Sequence, residues 1–179
     1  MTILLVLLSL LFLCIAVVIL IAMGKPGTFS IARSIAVNAS SEAILPRITD
    51  FHRWMEWSPW EGLDSQLQRT YSGAPSGLGA IYQWSGRKSG AGSMEIIEVE
   101  SSRKVALVIR FLKPFRATNL TVFQLEPQGS STFVTWTMSG PNTLFPGKVM
   151  DVFMDKDRFI GKDFEKGLLA LKQVAENPA

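Results

Sequence analysis

Between Gln66 and Ser139 the apolar residues recur with a period of two. From about Lys148 to Glu176 they recur with the period of a helix. This switch limits the fold more than any other feature of the chain. The alternating segments are Gln66–Tyr71, Ala80–Ser85, Ser93–Glu100, Lys104–Leu112, Ala117–Leu125 and Ser131–Ser139, joined by stretches such as GRKSGAG and EPQGS. Ala80, Tyr82 and Trp84 fall on one face of their segment, and Val105, Leu107, Ile109 and Phe111 on one face of theirs. Strands of about 6 to 9 residues with mostly short connections predict an antiparallel meander.

Upstream, Thr28–Val37 reads as a first strand. Ile44, Leu45, Ile48, Phe51, Trp54 and Met55 then form the apolar face of a helical stretch that ends at Ser58-Pro59. Downstream, Val149, Val152, Phe153, Ile160, Phe164, Leu168, Leu171 and Ala175 share one broad face, with Lys162, Lys166 and Lys172 turned to water. A bend is expected near Gly161. A sheet of this size must bury one face, and that long helix is the only cover large enough. A curved sheet closing on one helix encloses an internal space. The expected fold class is therefore α+β.

A different solvent is indicated at the N-terminus. Ile3–Met23 reads ILLVLLSLLFLCIAVVILIAM, with no charged residue. As a helix it spans roughly 31 Å, enough to cross the hydrocarbon core of a bilayer. A cleaved signal peptide is the competing reading. It normally has a basic n-region, a shorter apolar core and a small-residue cleavage site, none of which stands out here. The expectation is a single-pass anchor in residues 1–24 and one folded domain in residues 28–176. Lys25 and Arg33 follow the apolar run and no basic side chain precedes it, which favours the cytoplasmic side for the domain.

Much chemistry is excluded by composition. Cys14 lies inside the apolar run and is the only cysteine, so the domain has no disulfide, thiol nucleophile or Cys-based metal site. The only histidine, His52, sits in the tryptophan-rich stretch FHRWMEWSPW and is read as structural or exposed. GPNTLFPGK lacks both the spacing and the final Ser or Thr of a phosphate loop. The formal charge of +3 is spread among 18 basic and 15 acidic residues without a basic stripe, so no nucleic-acid partner is expected. No cofactor, metal or catalytic residue is assigned. Glu56, Glu95, Glu98 and Asp151 are the acids worth following, as are Arg69 and Arg110 in mid-strand, although solvent is the expected surrounding of Glu56 and of both arginines. Asn119-Leu-Thr121 and Asn38-Ala-Ser40 match the glycosylation sequon, with Asn119 expected in a strand.

Taken together, SIAVNAS, FHRWMEWSPW, YSG, GLGAIYQWSG, GAGSMEIIEVE, VIRFLKPFRATNLTVFQLEPQGSSTFVTWTMSG and FMDKDRFIGKDFEKGLLALKQ resemble the START-like, Bet v 1-like (SRPBCC) superfamily. The likeness is strongest to its bacterial polyketide cyclase/dehydrase branch and covers about residues 28–176. It implies a helix-grip fold, in which a seven-stranded antiparallel sheet wraps a C-terminal helix and two short helices close one end. It also implies a cavity for a lipid, sterol or polyketide-like molecule, walled here by Trp57, Tyr82, Trp84, Met94, Ile109, Phe111, Phe123, Trp136, Phe153 and Leu168. Trp54 is the alternative to Trp57. The branch has no universal catalytic motif, so no catalytic role is inherited. The apolar run is the departure from the soluble relatives.

Three functions follow as expectations. The first is membrane-anchored binding of a hydrophobic or amphipathic small molecule or lipid. An enzyme of cyclase, hydrolase or isomerase type is the second, and would need an acid or His52 facing the cavity. The third is a non-catalytic protein-interaction domain with a filled interior, its protein partner unknown. A cavity opening is expected near Trp57–Trp60 or near Gly140–Gly147.

Overall fold

The computed structural model describes residues 2–143 and 147–177. Helix α1 (Thr2–Met23) is apolar along its whole length and nearly all of its side chains are exposed. Strand β1 (Thr28–Val37) follows, then helix α2 (Ser41–Thr49) and a 3-10 helix (Phe51–Glu56). The meander comprises β2 (Gln68–Gly73), β3 (Ala80–Gly86), β4 (Gly90–Glu100), β5 (Lys104–Lys113), β6 (Ala117–Gln128) and β7 (Ser131–Pro141). Helices α3 (Val149–Phe153) and α4 (Lys156–Glu176) complete the chain.

The strands form one seven-stranded sheet in the order β1-β7-β6-β5-β4-β3-β2, antiparallel throughout. This is the helix-grip arrangement: β1 returns to pair with the last strand, and α4 lies across the concave face with its closest packing on β1. A register shift between Ile96 and Glu98 marks a bulge in β4, a device that bends a sheet. The core is continuous from Ile31 and Val37 through Leu107, Phe123 and Trp136 to Phe164, Leu168 and Leu171 of α4.

The helical stretch after β1 is not one helix. The Asp50 carboxylate accepts from the His52 backbone N–H and starts a 3-10 turn. With about three residues per turn, Phe51, Trp54 and Trp57 stack on one side and all three are buried. Met55, expected beside them, rotates out and is exposed. The indole N–H groups of Trp54 and Trp57 donate to the carbonyls of Ile48 and Arg47, both at 2.9 Å. These are terminal carbonyls that α2 cannot bond internally, so the tryptophans cap the helix that precedes them.

The C-terminal segment departs from expectation in a second way. It breaks at Met154–Asp155 rather than bending at Gly161, and Asp155 caps α4 through the Arg158 backbone N–H. Gly161 has another purpose: a side chain there would collide with the Arg33 guanidinium, which lies flat against the helix. Arg33 reaches across from β1 to Asp157 at 2.9 Å and Glu165 at 2.8 Å, clamping the edge strand to α4.

Candidate ligand site

Two halves of the concave face can be distinguished by what covers them. Under α4 lies a dry aromatic column. Trp136 of β7 stacks on Phe164 of α4 with ring centroids 4.2 Å apart and on Phe123 of β6 at 4.9 Å, while Trp57 packs edge-on at 5.6 Å. Trp54 joins through Trp57 at 4.8 Å. Two polar atoms in this half, Thr121 Oγ1 and Trp136 Nε1, are buried and make no hydrogen bond among the described residues.

The other half, on β2 to β5, has a looser cover. Tyr71 and Tyr82 face each other across β2 and β3 and stack at 5.3 Å. Tyr82 stacks on Trp84 at 6.1 Å, and Trp84 meets the edge of Phe111 at 5.8 Å. Tyr71, Trp84 and Phe111 remain partly exposed, whereas Met94 and Ile109 between them are buried. Trp84 lies directly on Gly92, where any side chain would overlap the indole ring.

At the rim of this half sits a polar cluster. Glu61 accepts from the Arg69 Nε at 2.7 Å and from the Tyr82 hydroxyl at 2.7 Å, and Arg69 also donates to the Glu61 carbonyl at 3.1 Å. The Glu61 side chain is only 10% exposed. Burial, reinforced by the neighbouring carboxylate, pushes the Tyr82 phenol well above its ordinary value and keeps it a neutral donor. Hydrogen bonding to Glu61 pushes Arg69 up as well. Just beyond, the Asp64 carboxylate accepts backbone N–H bonds from Lys88 at 2.8 Å and Gln66 at 3.0 Å, which hold its pKa below the ordinary value.

All the residues predicted to wall a cavity except Phe153 lie in this sheet–helix interior. Trp57, expected at the mouth, is buried in the column, and Trp60 is the partly exposed tryptophan beside it. Phe153 is moved out, because the chain breaks after α3 and leaves its side chain 71% exposed. It lines instead a groove of about 510 Å³ between the start of β1 and α3, together with Lys25, Phe29, Asn142, Asp151 and Lys156. The opening expected at 140–147 falls partly on residues 144–146, outside the described residues.

The groove is built on a knot around Asn142. Its side chain donates to the Pro26 carbonyl at 3.0 Å and to Asp151 Oδ2 at 2.7 Å, and its backbone N–H donates to the Gly27 carbonyl at 2.8 Å. Lys156 donates to Asn142 Oδ1 at 2.8 Å and pairs with Asp151 at 2.9 Å. The linker after α1 is thereby tied to α3 and α4.

Other candidates resolve simply. His52 is exposed and pairs with the Asp50 carboxylate at 2.9 Å while its ring stacks on Tyr71 at 4.0 Å. Arg69, expected in solvent, is the half-buried member of the Glu61 cluster, while Arg110 is exposed and pairs with Glu95 at 2.9 Å. Glu56 pairs with Arg53 on the surface and Glu98 with Lys104. Asn119 is buried in β6, so its sequon is closed to modification in the folded state. Among the described residues no group of three or more His, Cys, Asp or Glu side chains could hold a metal ion. Sequence reasoning missed Glu61, whose only signal was its place next to Trp60 in a loop that the meander turns back over its own rim.

Fold and site together define an α+β helix-grip domain with an aromatic, hydrophobic concave face. The chain belongs to the family described as polyketide cyclase / dehydrase and lipid transport, which matches residues 28–176. Comparison with curated proteins finds no match. Among solved structures the chain is similar to protein CV1439 from Chromobacterium violaceum, at 14% identity and a TM-score of 0.59, covering 86% of this chain and 99% of that one. It is similarly close to the Aha1 dimer from Colwellia psychrerythraea, at 18% identity and a TM-score of 0.59, covering 83% and 96%. DynU16, a protein of the dynemicin biosynthetic locus, matches at 17% identity and a TM-score of 0.58 over 83% of this chain and 47% of that one. At such identities these likenesses speak for the fold alone.

Proposed function

We propose that the protein is a membrane-anchored binding domain for a hydrophobic or amphipathic small molecule or lipid, held against the β2–β5 half of the concave face. The observation that carries this reading is the half-covered ladder Tyr71–Tyr82–Trp84–Phe111 with one carboxylate–guanidinium–phenol cluster at its rim. Aromatic walls with few, fixed polar groups suit a ligand that is apolar along its body and polar at one end. Met94 and Ile109 form the floor. Deeper in, Trp57, Phe123, Trp136 and Leu168 close the back.

Helix α1 supports the anchor. Its 22 residues have a mean hydropathy of 3.5 over the most apolar window and none of that window is buried in the protein. An export signal shares these properties. The domain is assigned to the cytoplasmic side on the strength of Lys25 and Arg33.

The test is native mass spectrometry of the full chain released from nanodiscs, followed by extraction and identification of bound lipid. A co-purifying amphipath that is lost in Trp84→Ala and Phe111→Ala supports binding. Absence of any ligand, or a bound ligand that Trp84→Ala and Phe111→Ala leave in place, overturns it. The aromatic column favours a second reading: an interior this well filled under α4 suits an interaction domain that works through its surface, and that reading gains if no ligand is found.

A further inference from the structure

We infer that the end of the sheet nearest α1 is itself a docking surface for an anionic lipid bilayer, an inference that rests on the membrane-anchor reading above. Topology decides which loops share that end. β1 begins there, so in a wholly antiparallel sheet β7 ends there, the β3–β4 and β5–β6 hairpins turn there, and β2 begins there. α4 also starts at this end, since its other end meets β1's far end, where Glu176 accepts from the Asn38 backbone N–H at 2.6 Å.

Apolar side chains distinguish the two ends. Near α1, Phe153 is 71% and Phe159 61% exposed, and Leu63 and Phe115 on the neighbouring loops and Leu112 at the end of β5 are exposed. At the far end, the connections 38–40, 74–79, 101–103 and 129–130 carry only Leu78 among the exposed large hydrophobic residues. Charge separates the ends as well. The near hairpins present Arg87, Lys88, Lys113 and Arg116, all exposed, and no acid; the exposed acids of this end, Asp155 and Asp157, sit at the start of α4, where Asp157 is paired with Arg33. The far connections contribute Arg103 alone.

Depth supplies the third observation. α1 packs against α3, and Ala22 is buried and Val18 half-buried on one side of α1, while the rest of the helix is mostly exposed. Val18 and Ala22 are four residues apart, about 6 Å along the axis. α3 therefore lies beside the last turns of α1 and not beyond them. With α1 across a bilayer, Phe153 stands at the depth where acyl chains meet headgroups, and the basic hairpins stand where anionic headgroups attract Lys and Arg. The groove of about 510 Å³ then opens at headgroup level.

The experiment uses the full chain with Cys14→Ser, reconstituted in nanodiscs, carrying one environment-sensitive thiol label at Leu11→Cys, Phe115→Cys, Phe153→Cys or Leu78→Cys. Discs of phosphatidylcholine alone are compared with discs containing phosphatidylglycerol, and brominated lipids serve as quenchers. The expected result is strong quenching at 11, quenching near the headgroup at 115 and 153, and none at 78. The signal at 115 should rise with phosphatidylglycerol and fall to the level at 78 in Arg87→Glu/Lys88→Glu/Lys113→Glu/Arg116→Glu. If 115 and 153 behave like 78 while 11 is quenched, the docking surface is overturned and the anchor stands. If 11 is not quenched, the anchor reading falls and the docking surface with it. Should the quadruple variant not fold, the lipid dependence of the unmutated hairpins decides alone: equal signals at 115 in both discs overturn the anionic preference.

Discussion

The two halves of the concave face are built from the same kinds of residue and differ in their covering. Under α4, Trp136, Phe123 and Phe164 close on one another until no ring is exposed. On β2 to β5, Tyr71, Trp84 and Phe111 form a row with Tyr82 yet stay partly exposed, and the polar atoms beside them are satisfied at the rim by Glu61. The first half is held by area removed from water. The second gives up some of that area and leaves three of its rings partly exposed. Composition alone does not separate a core from a binding wall; the position of one helix does.

Substitutions that exchange the characters of the halves test this contrast. Trp136→Ala should have the largest effect, a loss of about 3–5 kcal/mol in chemical unfolding, because a fully enclosed ring leaves a cavity its neighbours cannot fill. Trp84→Ala should cost clearly less in the same assay, and equal losses would erase the distinction. Glu61→Gln should cost roughly 1–3 kcal/mol, since Arg69 and Tyr82 both lose their charged acceptor. A double-mutant cycle with Arg69→Met should show coupling, and strict additivity would mean the cluster contributes nothing as a unit. Gly92→Ala should cost about 1–3 kcal/mol, because the added Cβ meets both the Trp84 ring and the Arg110 backbone carbonyl, and the ring's displacement should show as a change in near-ultraviolet circular dichroism. The smallest effect should come with acid. The Asp64 carboxylate is held below its ordinary value of 3.8 by backbone N–H groups, so its contribution is present above that pH and is lost as pH falls through the lower folded value. Asp64→Asn should flatten the fall of the unfolding midpoint as the pH drops below the ordinary carboxylate value, relative to the parent.

How much of this could be read in the chain varied with the element. The strands were legible to within a few residues because a half-buried sheet forces alternation on every one of them. The stretch around Trp54 was not, because an α-helix and a 3-10 helix both place apolar residues three apart, and only the exposure of Met55 tells them apart. That the tryptophans fall on every third position was the available signal. Phe153 was misplaced for a related reason. Its spacing from Phe164 continues a helical face, but the Asp155 cap that restarts the helix is a local hydrogen bond and leaves the period nearly intact. The cavity walls on the strands could be proposed from alternation; which of them α4 would leave partly open depended on where the helix comes to lie. Glu61 and Asn142, in connecting segments without a period, were invisible.

The knot at Asn142 has a mechanical consequence. A linker of four residues that is hydrogen-bonded to β7's exit, and through Asp151 and Lys156 to both terminal helices, leaves a joint with very little play. If α1 rolls or tilts, it carries β1 and α4 with it as a lever carries its load, and a shift of α4 is returned to α1 along the same path. The domain's heading is thus geared to the apolar helix rather than hung from it on a slack cord.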